Sequence, residues 1–482
     1  MHPKVVIIGA GLGGLQCAYI LAKNGLDVTV LEQDIHIGGC LQSFRRGNTL
    51  FDAGFHYIGG LREGESLYPL FRYFNLLDLP WQALDEDCFD EVVIGDRRFA
   101  LASGHERFID TLTAAFPHEK EGIRRYTVFL KQVGDHILDT FQPREATDFY
   151  SESLFARSAY EFLTDTIHDP LLRKVLSGSS LKLELAQDTL PLYVFAQINN
   201  SFIQSAWRIR GGGQQIADHL AADITRMGGH IRTHACVTEI EEKDGRVTGV
   251  RVNNEEFIEA THVICDIHPK MVMELLANSQ SLRRIYRRRI DSLEETYGMF
   301  TANISLKPDA LPYLNRNIFV HRPEADLWHP DTTQVNSLMV SFYPGQPALD
   351  LLTPMRWSQV SQWAEHRDAE YEAFKAQKAE ECLQLAEQRL PELRGAIDRI
   401  YTSTPLTYRR YTHTFEGSAY GIRKDWRSPM TTVLAPKTPI ENVLLTGQNL
   451  NLHGVLGVSM TSVITAAQII GMEPIVNSLN RK

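Results

Sequence analysis

The stretch VVIIGAGLGGLQCAYILAKNGLDVTVLEQ, residues 5–33, restricts this chain more than any other. Val5 to Ile8 form an unbroken β-branched run, as a parallel strand buried on both faces requires. Gly9, Gly11 and Gly14 then fit GxGxxG, with Gly13 beside them. The first glycine permits a tight turn, the second lets the backbone approach a pyrophosphate, and the third lets helix and strand pack closely. Leu15 to Lys23 continue as a helix whose first amides and dipole favour that anion, and Gly25 marks its end. Asp27 to Leu31 read as a second strand. Glu32, followed by Gln33, closes it 18 residues past Gly14. A carboxylate there accepts hydrogen bonds from a ribose hydroxyl pair and repels a 2′-phosphate. Strand, glycine turn, helix, strand and acid in this order predict a dinucleotide site opening an α/β fold.

The remainder of the chain bounds what surrounds that site. At 482 residues it exceeds what one core usually serves, so about two domains are expected. A net charge of −10 argues against general nucleic-acid binding. The six cysteines, at 17, 40, 88, 236, 265 and 382, contain no CxxC pair, so neither zinc nor a disulfide framework is expected and no metal site is assigned. The opening MHPKVVIIGAG leaves no room for a leader segment, and no apolar run reaches the ~18 residues of a spanning helix. The expectation is a cytoplasmic chain whose membrane contact is at most peripheral. Arg283, Arg284, Arg287, Arg288 and Arg289 fall on two sides of a predicted helix. They fit either a solvated face or attraction to anionic lipid headgroups.

Five residues after Glu32 comes Ile37-Gly38-Gly39, followed by Ser43. This resembles the extended flavoprotein fingerprint of amine oxidases, protoporphyrinogen oxidases and phytoene desaturases, in which the second strand leads into a GG turn beside the pyrophosphate. The resemblance implies FAD. Cys40 stands where those families often place an arginine, which weakens an amine-oxidase analogy. Between 207 and 252 a helix over Gln214 to Met227, two strands and a hairpin turn at Asp244-Gly245 are predicted, and Thr261 to Asp266 reads as a further strand. An equivalent block completes the FAD sheet in the resembling families, where a valine matching Val237 contacts the adenine. Val443 to Leu445 is predicted as a buried strand. A loop carrying Gly447, Gln448, Gly454 and Gly457 follows, then a helix from about Val458 to Ile470. In those flavoproteins the start of this helix faces the ribityl chain and the pyrimidine end of the flavin. The implied architecture is a Rossmann-like FAD-binding domain from the discontinuous segments 1–75, 205–270 and 425–482, with an α+β substrate domain from 76–204 and 271–424. Within the latter, Trp357, Trp363, Tyr371 and Phe374 recur at near-helical spacing and read as a core stripe.

Four motifs sharpen the resemblance: GGCLQSF, LFDAGFHYIGG, PLTYRRYTHTFEGSAYG and LLTGQNLNLHGVLG. Together they resemble the retinol saturase branch of the phytoene desaturase and carotenoid isomerase superfamily, whose members use a flavin on isoprenoid polyenes. The resemblance implies saturation, or desaturation, of one carbon–carbon double bond in a retinoid- or carotenoid-like molecule. Hydride transfer of this kind needs a proton at the neighbouring carbon. His56, Tyr57 and His453 are the candidate donors, with Asp52 orienting them or fixing their loop, and each of the three is equally readable as structural. Tyr408, Tyr411 and Tyr420 either line an entrance or pack. A redox-neutral isomerase, an amine oxidase and a lipid carrier on the same scaffold are the alternatives. No second dinucleotide fingerprint is present, so NAD(P)H stands only as a candidate reductant. The expected partner is a lipophilic small molecule.

Overall fold

In a computed structural model describing residues 3–137 and 149–480, the β-branched run is the central strand, Lys4–Ile8, of a five-stranded parallel sheet. The order across the sheet is His230–Arg232, Asp27–Leu31, Lys4–Ile8, His262–Cys265, Val443–Leu445, each pair parallel. Both faces are covered, which explains the unbroken apolar run. Val5 and Ile7 pack with the helices Leu12–Lys23, Gln214–Arg226 and Gly454–Ile470. Val6 and Ile8 pack instead against the antiparallel sheet formed by Val237–Lys243, Arg246–Val252 and Glu256–Glu259. The hairpin of that sheet turns at Asp244 and Gly245, both left-handed with φ of 54° and 82°.

Helices begin earlier than glycine spacing alone predicts. The first starts at Leu12 rather than Leu15. The last starts at Gly454 rather than Val458, so Gly457 lies inside it. Gly457 is there for close approach and not as a breaker: a Cβ would come 2.3 Å from the Leu452 carbonyl oxygen. The first and last helices are tied by buried polar bonds. Gln16 Nε2 donates to Ser459 Oγ at 2.8 Å, and Ser462 Oγ to the Gly13 carbonyl at 3.2 Å. That pairing brings two glycine loops from opposite ends of the chain together; a Cβ on Gly13 would lie 3.0 Å from Gly447 Cα.

A second, seven-stranded sheet runs in the order Ile397–Ser403, Gly298–Leu306, Ala348–Met355, Ser337–Phe342, Asn317–His321, Asp90–Ile94, Arg97–Leu101. Only Asn317–His321 and Asp90–Ile94 pair in parallel. One face is closed by the helix Ala369–Ala386, the other by helices that include Leu192–Gln204. The expected aromatic stripe is not one helix: Trp357 and Trp363 sit on two short 3₁₀ turns ahead of it. Trp363 still reaches the rings of Tyr371 and Phe374, at 5.5 and 5.3 Å. In the arginine cluster, Arg287 donates to the carbonyls of Met273 and Leu276, and Arg289 to those of Thr431 and Val433. Those two are therefore structural, while Arg283, Arg284 and Arg288 are exposed. Among the described residues no helix is long and apolar enough to cross a membrane.

Candidate active site

The carboxyl ends of the parallel strands open onto a cavity of about 460 Å³, the place where ligands bind in open α/β sheets. Gly9 turns the chain out of the first strand at φ 97°, and a Cβ on it would meet the Asp266 carbonyl oxygen at 2.7 Å. On Gly11 or Gly13 a Cβ would stand 2.6 or 2.5 Å from the Asp266 carboxylate. Gly14 closes the loop underneath, since its own Cβ would be 2.2 Å from the Gly9 carbonyl oxygen. Its amide donates to Asp266 Oδ2 at 2.8 Å. Glu32 lines the cavity and is braced there by the amides of Ala10 and Asp34, at 2.9 and 3.0 Å. Gly38 and Gly39 turn at φ 109° and 54°, and the Gly38 amide donates to the Ala10 carbonyl at 2.7 Å. A bare-backbone cradle at a helix N-terminus, with an acid at the next strand end, fits the pyrophosphate and adenosine ribose of FAD. Gln33, Val237, Gly447, Gln448 and Val458 line the same cavity. Gly14, Gly457 and Ser43 do not. The Ser43 hydroxyl is engaged instead by Asp52 Oδ1, at 2.5 Å.

The loop FHYIGG is pinned on both sides. Ile58–Gly59 pairs with Ala206–Ile209, and a Cβ on Gly59 would lie 2.3 Å from the Ser201 carbonyl oxygen. Asp52 fixes the loop rather than orienting its side chains, for Oδ1 also accepts the Gly213 amide at 2.8 Å. His56, Tyr57 and His453 all line the cavity. His56 Nδ1 lies 3.8 Å from Oδ2 of Asp350, which accepts the Tyr343 hydroxyl at 2.6 Å, while Asp350 Oδ1 accepts Asn303 Nδ2 at 2.7 Å. Burial, and secondarily the Arg208 charge, push the His56 pKa down to about 4, whereas burial pushes Asp350 up to about 7. Near neutral pH His56 is therefore neutral and Asp350 partly protonated, and their 3.8 Å separation is longer than a direct hydrogen bond. His453 is likewise pushed down to about 4 by burial, and its Nε2 donates to the Lys182 carbonyl at 3.1 Å.

Behind Tyr57 lies a cluster that the sequence does not announce. The Tyr57 hydroxyl donates to Asp90 Oδ2 at 3.1 Å, and its ring packs on Phe202 at 4.3 Å. Asn317 Nδ2 donates to Asp90 Oδ1 at 2.9 Å. Lys182 Nζ stands 3.8 Å from Asp90 Oδ2 and 4.6 Å from the Phe202 ring centre, and Lys182 lines the cavity. Burial lowers its pKa to about 8, with Asp90 opposing the shift. The guanidinium of Arg208, 1% exposed, donates to Asn317 Oδ1 at 2.7 Å and to the carbonyls of Arg316 and Leu314. None of Asp90, Lys182, Arg208, Asp266 or Asp350 sits in a motif. Their only sequence signal is a charge amid apolar neighbours, as in SLKLEL around Lys182. Tyr408, Tyr411 and Tyr420 line the cavity too, and the Tyr420 hydroxyl is bonded to the Leu181 carbonyl.

Sheet order, glycine cradle and strand-end acid define an FAD-dependent oxidoreductase. The family model described as flavin containing amine oxidoreductase matches residues 12–470, and the chain belongs to that family. It is 27% identical to an all-trans-retinol 13,14-reductase of Danio rerio, over 96% of this chain and 85% of that one. It is 23% identical to prolycopene isomerase 2 of an Oncidium hybrid cultivar, over 86% and 74% of the two chains. Among solved structures, an oxidoreductase from Methanosarcina mazei shares the fold, with a TM-score of 0.64 at 17% identity, covering 95% of this chain and 98% of that one.

Proposed function

We propose that the chain reduces one carbon–carbon double bond of a retinoid-like polyene. The observation that carries this reading is the continuity of one cavity from the glycine cradle and Glu32 to an apolar wall. That wall comprises Met299, Met339 and Leu352 of the large sheet with Ile198 and Phe202 of the helix Leu192–Gln204. An extended unsaturated chain laid on it leaves water along its length. FAD, when bound, supplies the hydride chemistry. The residues of this chain then position and protonate: the apolar wall fixes the polyene, and His56 delivers to the substrate carbon the proton that Asp350 holds behind it. Tyr57, tied to Asp90 and packed at a tilt against Phe202, sets the shape of the cavity beside His56. Lys182 counts against amine oxidation, because its ammonium would repel that of an amine substrate. The similarity to retinol reductases supports the choice of polyene over other lipids.

The test is anaerobic. The flavin is reduced chemically, all-trans-retinol is added, and flavin absorbance and the mass of the extracted polyene are followed together. Flavin reoxidation with a product two hydrogens heavier is expected. A flavin that stays reduced while the polyene changes geometry would replace reductase by isomerase, and no change in either would refute the polyene reading.

A further inference from the structure

We propose that Lys182 anchors an oxygenated end of the substrate, so that the polyene is one bearing a carboxylate or hydroxyl terminus and not a hydrocarbon. The inference rests on the polyene reading above and adds the chemistry of the substrate's end to it.

Lys182 is the only lysine or arginine among the described residues that line the cavity. Its side chain is 9% exposed, and a buried ammonium is expected to use its three donors. Here it makes one long hydrogen bond, to Ser179 Oγ at 3.4 Å, and its distance of 3.8 Å to Asp90 exceeds a direct bond. The charge around it is also unbalanced. Among the described residues Asp90 is the one carboxylate facing Lys182, and it also faces Arg208, whose guanidinium donates there only to uncharged acceptors, Asn317, Tyr313 and two carbonyls besides. Two buried cations thus share one anion. A ligand carboxylate, or more weakly a hydroxyl, supplies both the missing acceptor and the missing charge.

The position is also prepared. The main chain at this point is held by two other cavity residues, His453 on the Lys182 carbonyl and Tyr420 on that of Leu181. Phe202 lies against the ammonium on one side and belongs to the apolar wall on the other. The ammonium is therefore the polar stop at the edge of an apolar surface, the arrangement that reads one end of an amphipathic chain.

The experiment uses the oxidised, flavin-bound protein and three probes of equal carbon skeleton: all-trans-retinoic acid, all-trans-retinol and the corresponding hydrocarbon, deoxyretinol. Binding is read by quenching of tryptophan fluorescence. The natural protein is expected to bind acid before alcohol before hydrocarbon. Lys182→Met is expected to weaken the acid by about 10- to 100-fold while moving the hydrocarbon less than about threefold, the difference that one charged hydrogen bond makes. Lys182→Arg should restore part of the loss. Asp90→Asn, which removes the competing carboxylate, should tighten the acid, a sign that a purely structural role would not produce; weaker acid binding there would overturn the proposal. Equal weakening of all three probes by Lys182→Met, or a hydrocarbon bound as tightly as the acid by the natural protein, also overturns the anchor while leaving polyene reduction standing. Failure of every probe to bind, together with no turnover of retinol, overturns both.

Discussion

Replacing Asp266 by asparagine separates two roles of one buried carboxyl. Asp266 follows the strand His262–Cys265 and reaches into the cradle, where Oδ2 accepts the Gly14 amide at 2.8 Å. Burial raises its pKa from 3.8 to about 7; the Gly14 bond opposes the shift and the charge of Glu32 adds to it. The sign follows from the protons bound in each state. Between pH 4 and 7 the folded chain keeps a proton that the unfolded chain has released, so stability is full below pH 4 and is lost as pH rises to about 7. At about 1.4 kcal/mol per pH unit the window contains about 4 kcal/mol. Asparagine keeps the size and the acceptor for Gly14 but cannot ionise. In flavin-free protein unfolded by urea, the variant should match the natural chain near pH 4 and exceed it by about 4 kcal/mol at pH 8. Asp350 and Asp52 are raised by burial as well, to about 7 and about 6, so only the difference between the two proteins isolates Asp266. A second readout follows from its place among Gly11, Gly13 and Gly447. Ionised Asp266 opposes a pyrophosphate, so FAD titrated at pH 8 should bind the variant more tightly than the natural chain. Stability curves that run parallel from pH 4 to 8 would refute the reasoning, because the carboxyl would then titrate as it does in the unfolded chain.

Three further outcomes are expected. Gly11→Ala sets a Cβ 2.6 Å from the Asp266 carboxylate inside the cradle, so the purified variant should lose its flavin absorbance at least tenfold while keeping its far-ultraviolet circular dichroism. Tyr57→Phe retains the packing on Phe202 and loses only the hydroxyl bond to Asp90, which should cost about 1–3 kcal/mol in urea unfolding because the buried carboxylate loses a donor. If Asp350 holds the transferred proton, kcat should fall as pH rises through about 7, with no inflection near 6.5 from His56 or His453, since those two are pushed down to about 4. Asp350→Asn should lower kcat about 100-fold or more and remove the inflection.

What was legible in the sequence, and what was not, divides along the kind of atom that does the recognising. The cradle is made of main chain. A close approach of backbone to ligand leaves glycine as the residue that fits, and the strand and helix around it fix the spacing, so Gly9, Gly11, Gly14, Gly38 and Gly39 could be read locally. Even there a glycine's reason can be misjudged: Gly457 looks like a helix breaker until the Leu452 carbonyl is placed 2.3 Å from its missing Cβ. The side-chain machinery obeys no such local rule. Asp90 and Asn317 meet because they are register partners in the one parallel pair of the large sheet, and Arg208 joins them through Asn317. Lys182 is buried by Phe202 and Asp90, 20 and 92 residues away, although a lysine among leucines ordinarily lies at the surface. His56 was visible as a residue, but its partner Asp350 is set opposite it by the packing of the second sheet on the pinned loop. The same division governs function. A cradle built from backbone can be shared by enzymes acting on amines and on polyenes, because it touches only the common cofactor. Substrate choice must then come from the groups that reach the rest of the cavity, and in this chain those are residues that tertiary register assembles: the wall of Met299, Met339 and Leu352, His56 with Asp350 behind it, and the Lys182 ammonium.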